Sequence, residues 1–153
     1  METKLMQIEH GRISASRPDI IVDLLNGRGD YNYNFDIEDV NAETSDNGEI
    51  TIVNEQTETS CRMYRYKTIR IEGIRTANHI LQQIMSALFP DNVEMKFLNE
   101  YNAAKIGLAG GSATSAEAKV KIAAYREFLE ERMRIKAMVD ADCQEINIPN
   151  SNE

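Results

Sequence analysis

The sequence predicts an α+β fold: a small antiparallel β region at the N-terminal end, followed by three helices, the last one long. Three observations predict it. Tyr31, Tyr33, Phe35 and Ile37 alternate with Asn32, Asn34 and Asp36, the period-two pattern of a strand with one aromatic and one polar face. From Thr76 onward the spacing becomes helical, with Ile80, Ile84 and Leu88 four apart. Behind Thr114-Ser115-Ala116-Glu117, roughly 25 to 30 residues run without Gly or Pro to about Cys143.

Within the β region, Lys4 to Ile8 reads as a short strand and Ser16-Arg17-Pro18 as a break. Asp19 to Leu25 is apolar enough to be buried, as a strand or as one or two helical turns; its β-branched Ile20, Ile21 and Val22 favour the strand. Asn26 to Asp30 is a loop by composition. The aromatic strand follows, then an acidic, polar stretch from Glu38 to Glu49 read as a loop with a turn at Asp46-Asn47-Gly48. Glu49 to Asn54 is a short strand, Asn54 to Ser60 a loose hairpin tip, and Cys61 to Glu72 the longest strand. On that strand Cys61, Met63, Ile69 and Ile71 share one face and Tyr64 and Tyr66 the other. Few large aliphatic residues support this sheet, so its stability is expected to come from the helices or from neighbouring subunits.

Each helix carries its own start signal. Thr76 caps the first, which stops at Phe89-Pro90 because a residue before proline leaves helical geometry. Asp91-Asn92-Val93-Glu94 reads as an acidic capping box for the second, whose apolar stripe is Val93, Phe97, Leu98 and Tyr101 and whose stop is Gly107. Thr114 to Glu117 reads as a capping box for the third. Ile122, Tyr125, Leu129, Val139 and Cys143 lie near one face of that helix, interrupted by Arg132 and Lys136, and Glu117–Lys121 and Glu130–Arg134 are spaced to support it. A helix this long outruns a core made of two shorter ones, so part of it is expected to project or to pack on another chain. The organisation is thus residues 1–73 as a β-rich region or arm, 74–146 as the helical region and 147–153 as a disordered tail.

Composition narrows the function classes. The formal charge of −8 and the dispersed basic residues disfavour nucleic acid and anionic membrane as partners. One local basic group, Arg62, Arg65, Lys67 and Arg70 with Arg75 just after, reads as a solvated strand face or as partners for acids elsewhere. Two cysteines, Cys61 and Cys143, make no disulfide framework and read as reduced and partly buried. No apolar run reaches membrane-spanning length, and Met1 to His10 lacks the apolar centre of a signal peptide.

The motifs that suggest chemistry each have a plainer reading. Gly107 to Ser115 enters a helix and resembles the phosphate loop of small-metabolite kinases of the galactokinase and homoserine kinase type. The loop leaves a helix rather than a strand, however, and lacks the Walker lysine, so it reads as a connector. Arg28-Gly29-Asp30 matches the integrin tripeptide but is also ordinary turn chemistry. His10, His79, Cys61 and Cys143 have no ligand-pair spacing, and Asp36 to Glu49 lacks the ligand rhythm of a calcium loop. No catalytic residue, metal or cofactor is therefore assigned. Tyr31, Tyr33 and Phe35, with Tyr64 and Tyr66, serve either as core or subunit interface or as a stacking platform for a ligand. Together with Tyr125, Leu129, Arg132, Lys136 and Val139 on the long helix, they form the candidate interface.

Tyr66 to Gly73, Asn99 to Lys105 and Tyr125 to Leu129 resemble small proteins of Bacteroidetes phages and prophages encoded with virion and tail-fibre genes. The Tyr-Arg-x-Phe-Leu segment of the last helix also resembles the C-terminal segment of phage tail-fibre assembly proteins. The resemblance covers roughly residues 61 to 145 and transfers no functional residue. It implies a non-enzymatic capsid-, tail- or fibre-associated subunit, found in the virion or in the host cytoplasm during assembly, that contacts other subunits and forms a homo-oligomer. The alternatives are a tail-fibre assembly chaperone and a small phosphate- or ligand-binding module built on the Gly107–Ser115 loop.

Overall fold

A computed structural model describes residues 8–151. Five strands, β1 (Glu9–Ser14), β2 (Ile21–Asp23), β3 (Tyr31–Thr44), β4 (Ile50–Val53) and β5 (Cys61–Ile71), precede three helices, α1 (Ala77–Leu88), α2 (Asp91–Lys105) and α3 (Ala116–Glu145). The α+β class and the long closing helix are as the sequence predicts. The chain divides into two compact units between Ile74 and Arg75.

The first unit is an antiparallel sheet in the order β1-β5-β3-β2, with β4 pairing β3 further along. β3 is the organising strand and is twice as long as its alternation suggested. It continues through Thr44, across the acidic stretch expected to be a loop. Cross-strand charge is the reason: Lys67 Nζ lies 3.0 Å from Asp36 Oδ2, Arg65 pairs with Glu38, and Arg62 lies 3.7 Å from Asp39. These pairs let an acidic sequence extend beside a basic one. A bulge between Phe35 and Glu38 re-aims the strand, and Asp36 takes the left-handed backbone it requires (φ 50°). On the inner face Tyr31 pairs in register with Ile71 and Tyr33 with Ile69, and all four are fully buried. On the opposite face the Thr68 hydroxyl donates to Asn34 Oδ1 (2.6 Å), and Asn34 Nδ2 donates to the Asp19 carbonyl, so this buried amide is satisfied.

One further β-region expectation is untested and another narrows. The strand expected at Lys4 to Ile8 lies outside the described residues except for Ile8. The strand that is described, β1, begins at Glu9, where no alternation marks it and Gly11 (φ 70°) absorbs a register shift against β5. The Asp19–Leu25 segment is extended, but only three of its residues are strand.

In the second unit, Thr76 caps α1 as expected, its hydroxyl accepting from the His79 N–H (3.1 Å). The Ala77 and Asn78 N–H groups, orphaned at any helix start, donate to the carbonyls of Pro149 (2.9 Å) and Asn150 (3.1 Å). The described part of the segment expected to be a disordered tail is thus fastened to the start of α1. It is delivered there by Asn147, which takes the left-handed C-terminal position (φ 59°) while Ile148 N–H returns to Cys143 O. Gly107 does the same for α2, with Leu108 N–H returning to Ala103 O.

Both predicted capping boxes are corrected. At α2 the cap position is Pro90 with no side-chain hydrogen bond, and Glu94 instead pairs with Arg132 of α3. At α3 the cap is Ser115, one residue later than expected; its hydroxyl accepts from Ala118 N–H and donates to Ala109 O. Lys121 reaches Glu100 of α2, and the outer charges pair as Arg126–Glu130, Arg134–Glu131 and Lys136–Asp140.

Helix α3 spans about 45 Å at 1.5 Å per residue. It does not outrun its partners. α2 runs antiparallel to its first half, where Phe97 stacks on Phe128 (5.2 Å between centroids) and Tyr101 on Tyr125 (4.5 Å). α1 follows the second half, from Phe89 edge-on to Phe128 (4.8 Å) back to Ala77 at Pro149. Two short helices in tandem therefore cover one long one.

Candidate interaction groove

The core side of α3 is Ala118, Phe128, Ile135, Val139 and Cys143, all buried. Leu129, expected on that side, lies a hundred degrees round from Phe128 and is 40% exposed. It borders a groove of about 640 Å³ between α1 and α3. Leu81 and Met85 of α1 and its C-cap residue Phe89 form one wall, Leu129 and Met133 of α3 the other, and Asp91 and Glu94 of α2 close one end. Arg132 and Lys136 also line it. A second hollow, about 500 Å³, lies beyond Arg132 and is lined by Met95, Leu98, Tyr125 and Phe128. The Arg132–Glu94 ion pair belongs to both hollows and forms the bar between them. The guanidinium also sits 5.7 Å from the centre of the Phe128 ring, which fixes its long side chain over the core.

The structure thus gathers four predicted interface residues, Tyr125, Leu129, Arg132 and Lys136, on one surface of the helical unit. The others stand elsewhere. Val139 is fully buried, as are Tyr31, Tyr33 and Phe35, so these are core and present no face to another chain. Tyr66 is also buried, with the Arg12 guanidinium 5.7 Å from its ring centre, and Tyr64 is half-buried. Sequence reasoning missed Leu81, Met85 and Met133. The available signal was the spacing Leu129–Met133 on the side of α3 away from Phe128, which the alignment of Leu129 with Val139 concealed.

The groove is apolar with committed charges. Glu94 is held by Arg132, and Lys136 lies 3.0 Å from Asp140. Such a surface suits an amphipathic helix or another apolar face.

The remaining motifs resolve into structure. Asp30 of the Arg-Gly-Asp triplet is 3% exposed. Its carboxylate accepts from Arg70 (2.9 Å) and Asn26 (2.7 Å), hydrogen bonds that hold it below the ordinary carboxylate range. Gly107 to Ser115 folds as a compact connector: Ala104, Ala109 and Ala118 make a small core with Ile122 beside it, and the Ser115 hydroxyl is spent on Ala109 and Ala118. Among the described residues no three His, Cys, Asp or Glu side chains converge on a metal position, and no helix is long and apolar enough to cross a membrane. Burial, with the Asp142 and Asp140 carboxylates adding to it, pushes the Cys143 thiol up to about 11. Comparison with the profiles of known protein families, with curated proteins and with solved structures finds no match in any of the three.

Proposed function

We propose that this chain is a non-enzymatic structural subunit of a phage particle, associated with the capsid or with the tail and its fibres, acting through protein–protein contacts of its helical unit. The observation that supports this reading is the α1–α3 groove, where Met133 (72% exposed) and Leu129 stand among the charged side chains of Arg126, Glu130 and Lys136. Exposed apolar side chains rimmed by charge are the usual composition of a contact surface. The resemblance of residues 61 to 145 to proteins encoded with virion genes supplies the setting.

The test is mass spectrometry of purified particles and of the particle-free lysate from a host producing them. A subunit is recovered in the particles at a fixed ratio to the major structural protein. Recovery in the lysate alone, bound to fibre protein, would make it an assembly chaperone instead. Recovery in neither association would sink the reading.

A further inference from the structure

We propose that the outer face of α3 pairs two copies of this chain, antiparallel, about a two-fold axis beside Met133. This names the partner of the groove and rests on reading that groove as a contact surface. Arg126 and Glu130, Leu129 and Met133, and Lys136 and Asp140 are each four residues apart, and Glu130, Met133 and Lys136 follow at three, which places all six within about a third of the helix circumference. Five of them are exposed and Asp140 is half-buried. Two apolar residues stand at the centre, and a charged pair stands on each side: Arg126 with Glu130 at 3.1 Å and Lys136 with Asp140 at 3.0 Å.

The order of these charges selects both the partner and its direction. Arg126 and Asp140 are each seven residues from Met133, and Glu130 and Lys136 are each three. In an antiparallel pair centred on Met133, each Arg126 therefore lies level with Asp140 of the second copy, and each Glu130 with its Lys136. Both of these charged levels then pair opposite charges. In a parallel pair Arg126 meets Arg126 and Glu130 meets Glu130, and every level repels. Leu129 lies level with Ala137 of the second copy, a small residue that leaves it room, and Met133 meets Met133. The paired segment is about 21 Å long, and the groove beside it, walled by Met85, takes up the flexible Met133 side chains. Such a contact is isologous and closes on itself.

The test is thiol cross-linking of the full chain carrying Cys61→Ser, which removes the exposed native thiol and leaves Cys143 buried. Met133→Cys in this background is expected to form a disulfide-linked dimer with oxidised glutathione at least tenfold faster than Val120→Cys. Val120 is as exposed (69%) but lies outside the paired segment. Adding Lys136→Glu should slow the linkage several-fold, and adding Glu130→Lys as well should restore it. Equal rates at the two positions overturn the pairing. An unchanged rate with Lys136→Glu overturns its register. Neither result bears on whether the chain is recovered in particles, so the two readings fail separately.

Discussion

Asp30, the residue before β3, meets Arg70 of β5, with the guanidinium Nη2 2.9 Å from a carboxylate that is itself almost wholly covered. The pair shows what the charged sequence is for. Each base of the β5 cluster faces an acid: Arg62 faces Asp39, Arg65 Glu38, Lys67 Asp36 and Arg70 Asp30. The basic patch seen in the sequence is thus split between the two faces of β5, and each of its bases is paired with an acid.

Asp30 makes stability depend on pH. Its folded pKa lies below the ordinary 3.8, so ionisation favours folding. The contribution is whole above that ordinary value and fades as pH falls through the depressed one. Urea midpoints measured against pH should show Asp30→Asn less stable than the native chain at neutral pH, with the gap narrowing in acid. A gap constant with pH would place the role of Asp30 outside its charge.

Gly110 and Gly111 both hold left-handed backbone, yet only one is crowded. A Cβ on Gly110 meets Ser115 Oγ at 2.6 Å, and one on Gly111 meets nothing within 4 Å. Gly110→Ala is expected to cost about 1–3 kcal/mol through strain and the disturbed cap, and Gly111→Ala distinctly less. Chemical denaturation of the two variants gives the order. Loss of ligand binding in Gly110→Ala would accordingly report a disturbed fold, and Gly111→Ala is the variant that probes the phosphate-loop alternative.

Phe128 is the packing centre of the helical unit, touching Phe89, Phe97 and Tyr125. Phe128→Ala should cost about 3–5 kcal/mol, whereas Val120→Ala, on the exposed side, should stay within about 0.5 kcal/mol. Similar losses at both sites would contradict the assignment of the core face.

The two thiols should react at very different rates. Cys61 is exposed, while Cys143 is buried with its pKa raised to about 11, so it carries almost no thiolate at neutral pH. Thiol titration of the native chain should find one fast group, and a second only on unfolding. Two fast groups would mean that the end of α3 opens readily.

Legibility in the sequence followed locality. Thr76 and Gly107 act through hydrogen bonds within a few residues, and both helix ends were readable. The reach of β3 through Thr44 was hidden because it depends on bases more than twenty residues away. Ser115 displaced Thr114 as cap because its hydroxyl also satisfies Ala109, which sequence spacing does not reveal. The fastening of Pro149 and Asn150 depends on Asn147 doing the work of a glycine. At the groove, Leu129, Arg132 and Lys136 were found, but Met133 and Met85 were not, since a thioether on a helix reads equally as core or surface.

The most direct measurement is the solution mass of the full-length chain by light scattering across a dilution series, with Leu129→Glu/Met133→Glu alongside. The account predicts a native mass rising toward twice 17.3 kDa with concentration and a double variant that stays at 17.3 kDa. A native chain that remains at 17.3 kDa throughout, or a variant that associates equally well, would contradict it.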